Sequence, residues 1–423
     1  MDPGRRAAHN FQLIETDSGT GGIDMRILST ALQLAIAVFA GAIIPVLAAA
    51  DDQPASDPVG FSYGSKGLQY QSADGNNFLW FGVRLQGRYT DSAIDYDDFP
   101  GQPSKEGTET TLNRGRLKLG GHVLTPKLAV YTEFDFTKDQ LLDLRVTYEF
   151  ASWLSIRAGQ WKAEFNRERI DSSGAQQFVE RSIVTPWFTI DRQKSIVAFG
   201  RVGAGKAFDS SYWFGRLSGA GRGGDIDDAE GLWMARYQWN FTRRVLEFGQ
   251  SDIKRRDKPA GSIAIATISG KSMYTAFSSA GGGQLPGYSD GTSDRYRIRQ
   301  TLLETAWRYR GFSWQQELHW KNITDSVTNT EQRLLGGYAQ AGMFFSEIWQ
   351  KFPEPLEIAL RYASVDPNET PDNKVEREYM LATNWFFNGH RNKLTADIAR
   401  VDRRELASSN TETRIRLQWD VSF

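Results

Sequence analysis

Residues 413–423 read Thr-Arg-Ile-Arg-Leu-Gln-Trp-Asp-Val-Ser-Phe, and the stretch alternates between apolar and polar side chains up to its last residue. Successive side chains of a β-strand point to opposite faces, so a strand here has one apolar, aromatic face and one charged face. The apolar face ends on Trp419, Val421 and Phe423, and the other face carries Arg414 and Arg416. The stretch therefore predicts an amphipathic strand, which a membrane barrel or a soluble β-sandwich could use.

The same alternation recurs along the chain. It occupies residues 79–89, 114–123, 128–136, 142–150, 233–241, 312–321 and 356–362. Runs rich in Gly, Asp and Asn follow such stretches at residues 95–107, 219–228, 281–294 and 366–374, whereas Thr125-Pro126 and Ala151-Ser152 indicate tight turns. Short turns that alternate with long loops are typical of a transmembrane antiparallel β-barrel. The pattern predicts an all-β fold of this kind, with about 16 strands.

The charged faces decide which side of the strands meets lipid. Arg or Lys on the lipid face costs roughly 2–4 kcal/mol at mid-depth. The first two predicted strands carry Arg84, Arg88, Arg114, Arg116 and Lys118. Turning all of them outward would cost on the order of 10 kcal/mol, which is comparable to the whole stability of a fold. We therefore expect apolar faces toward lipid and charged faces toward a water-filled lumen; the alternative soluble β-sandwich would bury the apolar faces against one another.

Composition supports the barrel and excludes other classes. The mean hydropathy of −0.48 is too polar for a bundle of membrane helices, and 13 Trp fit aromatic girdles at the two membrane interfaces. Lys and Arg number 50 against 51 Asp and Glu, which argues against nucleic acid as a partner. The chain has no Cys, so disulfides and thiolate metal sites are unavailable. No cofactor or metal is indicated.

One long apolar stretch, residues 27–50, lies near the N-terminus. It follows Met25 and an arginine, and it ends on Ala48-Ala49-Ala50, which is the pattern of a secretory signal peptide. The alternative, a retained membrane anchor, would require a longer span without Pro45.

This pattern divides the chain into three parts. We interpret residues 1–50 as an upstream extension plus signal peptide, with the start at Met25 and cleavage after Ala50. Residues 51–60 would form a short periplasmic segment, and residues 61–423 the barrel, with no linker to divide it.

Barrel closure would bring cations from distant parts of the sequence together, because the last strand pairs with the first. We expect Arg414 and Arg416 beside Arg84 and Arg88, with the other cations on the next strand. The resulting lumen wall would hold Arg84, Arg88, Arg114, Arg116, Lys118, Arg414 and Arg416, and the following strands Glu133, Asp135, Asp143 and Glu149. Two interpretations stay open: a positive wall that selects ions, or arginines that pair with these acids and hold the wall still.

Residues 162–194 form a long, charged connection, and long connections with structure of their own are usually functional. Ser173 and Gln176 form a capping box that predicts a short helix after them. We expect the connection to fold into the lumen as a constriction loop, with the alternative of an external loop. Its candidate lining cations are Lys162, Arg167, Arg169 and Arg181, with Glu168 and Glu180 as anchors that form ion pairs.

A family resemblance rests on this same region. Residues 158–173 read Ala-Gly-Gln-Trp-Lys-Ala-Glu-Phe-Asn-Arg-Glu-Arg-Ile-Asp-Ser-Ser, and Phe178-Val179-Glu180-Arg181 follows. This resembles the signature of the phosphate-selective porin family (porins O and P), in which Gly-Gln-x-Lys precedes Phe, an acidic residue, Ser-Ser and Phe-x-Glu-Arg. Glu164 departs from that signature, in which the family usually has Pro. The segments at residues 114–117, 336–338 and 384–388 also resemble family members, so the likeness extends over nearly all of the mature chain.

The resemblance implies a homotrimer of sixteen-stranded barrels in the outer membrane, each with an inward-folded loop that narrows its pore. It also implies conduction of small inorganic anions, with phosphate or polyphosphate among the candidates. The C-terminal strand resembles the signal by which the outer-membrane barrel assembly machinery recognises its substrates through a terminal Phe, here Phe423. A general diffusion porin for small hydrophilic solutes, without anion selectivity, stays open as an alternative.

Two further observations concern function. Arg295, Arg297 and Arg299 form a ladder on one strand face after the loop at residues 281–294. We expect them to line the anion path near one mouth; the alternative is solvated rim charge. The alternative of another class, an outer-membrane barrel hydrolase, has no catalytic candidate, because the mature chain's His122, His319 and His390 belong to no recognisable nucleophile motif. We therefore predict that the protein is not an enzyme.

Overall fold

The computed structural model describes residues 59–96, 105–224, 231–292, 294–368, 375–404 and 409–423. The predicted signal peptide and most of the predicted periplasmic segment lie outside these residues. Within them, no helix has the length and apolarity needed to cross a bilayer.

Strands account for most of this part of the chain. In chain order they are β1 Gly60–Gly64, β2 Gly67–Gln71, β3 Phe78–Tyr96, β4 Lys105–His122, β5 Leu128–Asp135, β6 Gln140–Ala151, β7 Leu154–Lys162, β8 Arg192–Val202, β9 Ser210–Leu217, β10 Leu232–Trp239, β11 Ala260–Ser272, β12 Ala276–Ser278, β13 Gly281–Gly283, β14 Tyr296–Tyr309, β15 Phe312–Asp325, β16 Glu331–Met343, β17 Leu356–Asp366, β18 Glu376–Asn388, β19 Asn392–Arg404 and β20 Ser409–Ser422. The helices are short: α1 Arg167–Ile170, α2 Thr185–Phe188 and a 3₁₀ turn, Phe345–Glu347.

Sixteen of these strands, β3–β11 and β14–β20, form one closed antiparallel barrel. Each pairs with its neighbour in sequence, and β20 closes the ring on β3 from Asn410 opposite Tyr96 to Ser422 opposite Arg84. Closure pairs every strand on both sides, which leaves no open edge and satisfies the backbone polar groups that lipid cannot solvate. The predicted transmembrane barrel of about 16 strands is confirmed.

A small hairpin, β1–β2, precedes the barrel. β2 pairs with β3 at Phe78 to Phe81, beyond the point where β20 ends. The terminal residue closes the seam there, because the Val83 amide donates to the Phe423 carbonyl at 2.7 Å and the Phe423 amide donates back at 3.0 Å. A second hairpin, β12–β13, lies in the long connection between β11 and β14.

Side chains alternate as the sequence predicts. On β20, Ile415, Leu417 and Trp419 are exposed on the outer face, whereas Arg416 and Asp420 are buried on the inner one. The same division holds on β10, where Trp233, Tyr237 and Trp239 point outward. Apolar residues outside and charged residues inside are the reverse of a soluble β-sandwich, which excludes that alternative.

The two ends of the barrel differ. At one end the connections include tight turns, such as residues 123–127, where the Leu128 amide donates to the Thr125 carbonyl at 3.1 Å, and residues 152–153. Both predicted turns are therefore confirmed. The other end carries the longer connections, and we call the two ends the turn end and the loop end. The predicted loop at residues 95–107 is shorter than expected, because β3 runs to Tyr96 and β4 begins at Lys105.

The barrel interior contains apolar cores as well as charge. One cluster joins Phe165 to Val197, Met234 and Ile298 on the wall, and another joins Val184 and Phe188 to wall residues such as Ile323 and Val365. Phe165, Val184 and Phe188 belong to the connection between β7 and β8, which we call the inner loop (residues 163–191). Burial of these side chains holds the loop inside the barrel.

Candidate permeation pathway

The closed barrel places β20, β3 and β4 side by side, so the predicted neighbourhood of the last and first strands exists. Their register differs from the expectation. Gln418 lies opposite Arg88, and Arg416 and Arg414 lie opposite Thr90 and Ser92. The terminal Phe pairs with β3 near its start, and this places the two C-terminal arginines farther toward the loop end than expected.

Several arginines of this wall are paired with carboxylates. The pairs are Arg84 with Asp420 at 3.0 Å, Arg116 with Glu133 at 2.7 Å and with Asp135 at 2.8 Å, and Arg416 with Asp397 at 2.8 Å. All of these side chains are less than one tenth exposed. The geometry of these arginines agrees with the second interpretation, in which arginines pair with carboxylates and keep the wall rigid. Arg414 lies near Glu412 at 3.2 Å and is about one fifth exposed.

A second group of wall cations contacts the inner loop rather than carboxylates of the wall. Arg88 lies 2.7 Å from a Glu180 carboxylate oxygen, and Arg114 lies 3.8 Å from the same atom. The Glu180 side chain is 37% exposed. Burial acts to raise the pKa of Glu180, but Arg88 and Arg114 outweigh it and lower the pKa to about 2. Two permanent cations therefore share one permanent carboxylate, which leaves a net positive charge at this point.

Half-buried cations extend this group toward the turn end. Lys118 lies opposite Glu133 on β5, and the Arg145 guanidinium lies 4.6 Å from the centre of the Tyr131 ring. Arg145 also lines a cavity of about 380 Å³. The other lining residues include Lys66, Trp80, Tyr131, Thr147 and Arg157. Arg145 and Arg157 were not among the sequence candidates, although Arg145 falls on the charged face of its alternating stretch.

The inner loop lies inside the barrel and crosses the lumen from β7 to the opposite wall. The Gln177 side chain bonds to Ser313 on β15 at 2.8 Å and to Glu357 on β17 at 2.8 Å, and it accepts from Gln340 on β16 at 2.9 Å. The Val179 amide donates to Asp397 on β19 at 2.8 Å.

Glycines on the wall make room for this loop. A Cβ at Gly342 would collide with Gln177, and one at Gly336 would collide with Phe188. The absence of side chains at these two points lets the loop approach the backbone of β16 closely.

The local structure of the loop differs from the predicted helix after Ser173. That helix does not form; α1 and α2 lie on either side of the stretch. Ser173 accepts a hydrogen bond from Arg84 on β3 at 2.9 Å, and Gln176 donates to the Glu168 carbonyl at 3.3 Å. Contacts with the barrel and with α1 have replaced the local capping pattern, as tertiary interactions often do.

The predicted lining cations of the loop fall into two groups. Arg167 is fully buried and bonded to Glu304 on β14 at 2.7 Å, so its prediction as a lining residue is wrong. Arg169 is nearly buried beside Asp191. These arginines hold the loop in place, because a charge that is buried without a partner is strongly unfavourable.

Lys162 and Arg181 are half-buried and bond to the same short stretch of backbone. Lys162 donates to the Ile170 and Asp171 carbonyls at 3.2 and 2.9 Å, and Arg181 donates to the Asp171 carbonyl at 2.7 Å. These backbone acceptors are neutral and carry no compensating negative charge. The predicted anchor Glu168 does anchor the loop, since it accepts from the Ser182 amide at 2.8 Å and lies 3.6 Å from Arg361.

The predicted arginine ladder on β14 does not line the lumen. Arg297 and Arg299 are exposed on the outer face, while Ile298 and Gln300 between and beside them are buried inside. Arg295, just before the strand, pairs with Asp325 at 2.9 Å. The ladder shares one face, as predicted, but that face is the outer one. The free-energy cost of an arginine on the lipid-facing side falls to about 0–1 kcal/mol near a membrane interface. The charge of these arginines therefore does not decide whether their face of β14 points inward or outward.

A second inward segment, missed in the sequence, enters from the turn end. The connection between β10 and β11, residues 240–259, contacts the inner loop; we call it the turn-end segment. Gln250 accepts from the Gln177 amide at 2.8 Å, and the Glu247 carbonyl accepts from Arg167 at 3.0 Å. Ser251 donates to Glu357 on the wall at 2.8 Å. The sequence contained one signal for this segment: the connection is long, although it lies at the end of the barrel that includes tight turns.

The inner loop and the turn-end segment together cover one side of the lumen. Inward charged residues on that side, such as Glu304, Glu317 and Lys321, are fully buried. Lys321 donates to the Trp187 carbonyl of the inner loop at 2.8 Å and to the Thr275 carbonyl of the β11–β14 connection at 2.6 Å. Partly exposed cations, such as Arg88, Lys118 and Arg145, lie on the opposite side, on β3–β7.

His319 and His122 have local partners. His319 lies 3.0 Å from Glu317 and is stacked on Phe188, and His122 lies 3.0 Å from the Gly75 carbonyl. In the part of the chain that the structure describes, no group of three or more His, Asp or Glu residues could hold a metal ion.

A closed sixteen-strand barrel, apolar outside and crossed by an inner loop, is the architecture of an outer-membrane porin. Known structures agree. The outer membrane channel DcaP of Acinetobacter baumannii matches with a TM-score of 0.53 and 12% identity, over 84% of this chain and 99% of that one. Salmonella typhi OmpF, in a complex with daunomycin, matches with a TM-score of 0.50 and 11% identity, over 82% and 98%. No curated protein matches the sequence.

The sequence profile of phosphate-selective porins O and P matches residues 83–421. The chain belongs to this family, as the resemblance in its inner-loop region indicated. The family and the barrel fold support an outer-membrane channel.

Proposed function

We propose that the protein conducts small anions passively along the wall formed by β3–β7. The observation that carries this proposal is the excess of cations on this wall and on the inner loop beside it: Arg88 and Arg114 share one carboxylate, while Lys162 and Arg181 bond to uncharged acceptors. Fixed cations raise the local concentration of anions and replace part of their lost hydration. The family adds phosphate as a candidate solute.

The path would run from the loop end past Arg88, Arg114 and Glu180 to the cavity beside Arg145. Arg84, Arg116 and Arg416 would keep the wall rigid through their carboxylates, while Lys118 would add to the positive surface. The inner loop would set the narrowest point with Lys162, Arg181 and Glu180. Arg414, one fifth exposed, would belong to the wall near the loop end.

The proposal is tested in planar bilayers. In a KCl gradient across single channels, the reversal potential should be shifted from zero toward the equilibrium potential of chloride. Inorganic phosphate should reduce the chloride conductance if it competes for the same cations. A reversal potential at zero would favour a general diffusion porin, for which the many ion pairs of the wall are the supporting observation. Absence of conductance would contradict the channel itself.

The surroundings of the channel are part of the proposal. We propose export through a signal peptide cleaved after Ala50, insertion by the barrel assembly machinery through the strand that ends on Phe423, and a homotrimer in the outer membrane. Mass spectrometry of the mature N-terminus and the mass of the detergent-solubilised protein test the first and the last of these. We propose no enzymatic role.

A further inference from the structure

The outer face of the barrel carries basic residues at the loop end of β14. Arg297 lies opposite Lys271 on β11, and Arg299 lies opposite Asn322 on β15, which in turn lies opposite Arg333 on β16. Arg297, Arg299 and Arg333 are exposed. We call Lys271, Arg297, Arg299 and Arg333 the outer basic patch.

The depth of this patch follows from the strand below it. On the outer face of β14, Trp307 lies eight residues after Arg299, toward the turn end. At a rise of about 3.3 Å per residue and a tilt of about 40°, this corresponds to a height of roughly 20 Å. The apolar band of such barrels is about 25 Å tall and is bordered by aromatic residues. With Trp307 at the lower border of the band, Arg299 lies within about 5 Å of the upper border.

The neighbouring strand supports this level. Trp320 on β15 lies opposite Thr301, one outward position below Arg299. Tryptophan collects at the boundary between lipid and water, so the patch begins where the lipid headgroups begin.

Arg297 and Arg299 give the patch its positive charge. Glu331 lies 3.2 Å from Arg333 and partly neutralises it. Across the described residues, no carboxylate lies within ion-pair distance of Arg297 or Arg299. Both guanidinium groups therefore present their donors to whatever surrounds the barrel at this level.

We propose that Arg297 and Arg299 bind the phosphate groups of an anionic lipid in the membrane leaflet at the loop end. The guanidinium group is planar and matches the oxygens of a phosphate in a bidentate arrangement. A basic patch that directly adjoins an apolar, lipid-facing surface suits a molecule with both a phosphate and acyl chains. A dissolved anion would fit the charge but not the surface beneath it.

Binding to defined lipids tests the proposal on the intact protein. Native mass spectrometry in detergent would compare the wild type with Arg297→Gln/Arg299→Gln, using lipid A with two phosphates and its dephosphorylated form as probes. The control is Lys127→Gln/Arg310→Gln, which removes two exposed cations at the turn end. We expect the patch variant to need about tenfold more of the phosphorylated lipid for half-saturation, with the control like the wild type.

The remaining arms distinguish the sources of phosphate. Wild type and patch variant should bind the dephosphorylated lipid equally and weakly, and inorganic phosphate alone should not displace the lipid at equal concentration. Equal affinity of both proteins for the phosphorylated lipid would overturn the proposal, as would displacement by inorganic phosphate. A patch variant that keeps the wild-type reversal potential separates this site from the lumen. An additional protein chain that is bound to the wild type and absent from the patch variant would assign the patch to a protein partner. That result would also overturn the proposal.

Discussion

Arg88 and Arg114 control the charge at one point of the lumen wall, because both contact Glu180. Replacing both by Gln removes two cations and leaves the Glu180 carboxylate in place. A unit charge about 4 Å from an ion in water contributes about 1 kcal/mol, so we expect the loss of two charges to lower the ratio of chloride to potassium permeability by at least about fivefold. Reversal potentials in a KCl gradient measure this ratio.

The control for this variant is Lys127→Gln/Arg310→Gln, which removes the same charge from exposed sites at the turn end. Its permeability ratio should stay near that of the wild type. Equal ratios in the wild type and in Arg88→Gln/Arg114→Gln would show that these residues only hold the wall together.

Asp171 predicts a pH dependence. Burial raises the pKa of its carboxyl group to about 6, even though Arg308, Lys162, Arg167 and Arg181 act in the opposite direction. Lowering the pH from about 7 to about 5 should therefore protonate it and remove a negative charge beside Lys162 and Arg181. We expect anion preference to rise about twofold over this range. Asp171→Asn should remove that step, and an unchanged step in the variant would contradict the assignment. Glu180, with a pKa of about 2, stays charged throughout.

The direction of individual arginine side chains is only partly predictable from the sequence. The alternation places Arg295, Arg297 and Arg299 on one face, but the direction of that face depends on depth in the membrane. For Arg84 and Arg116 the cost of facing lipid decides the matter, and the prediction of an inward face is confirmed. For Arg299, at the membrane border, the cost is small, and the contacts of Ile298 and Leu302 with the inner core decide the orientation of β14.

At the scale of elements, strands and tight turns were predictable because their patterns are local. The inner loop was predictable by its length, whereas its conformation was not. The capping box of Ser173 and Gln176 is a local signal, but Gln177 and Val179 form hydrogen bonds to β15, β17 and β19, far away in sequence. Such contacts depend on which strands the closed barrel brings opposite the loop, and neither spacing nor composition contains that information.

The turn-end segment supports the inner loop from below, and its removal should widen the pore. We expect replacement of residues 245–256 by a short Gly-Asn turn to raise single-channel conductance about twofold, because Gln177 and Arg167 lose their contacts with Gln250 and Glu247. Deletion of residues 349–352, in another connection at the same end, is the matched control. Similar conductance in both deletions and the wild type would mean that the segment does not limit the pore.

At the scale of the whole molecule, closure depends on one seam between the first and last barrel strands. The terminal strand could be recognised from its alternation and its final Phe, and closure on β3 follows from the geometry of any barrel. The register could not be predicted, since it depends on backbone hydrogen bonds between Phe423 and Val83. That register places the Arg84 side chain beside Asp420, and it places Arg416 opposite Thr90.

The seam provides a test of closure. Arg84 and Asp420 form a buried ion pair across it, and Gln86 and Gln418 also donate to Asp420 at 2.7 and 3.0 Å. Removing one partner of a buried pair costs about 3–5 kcal/mol, so Arg84→Met should lower the melting temperature of the barrel in detergent. Arg84→Met/Asp420→Leu removes both charges and should lose less than the single variant. Heat-dependent migration on SDS gels measures the thermal stability of both variants. A double variant that is less stable than Arg84→Met would show that the ion pair does not hold the seam.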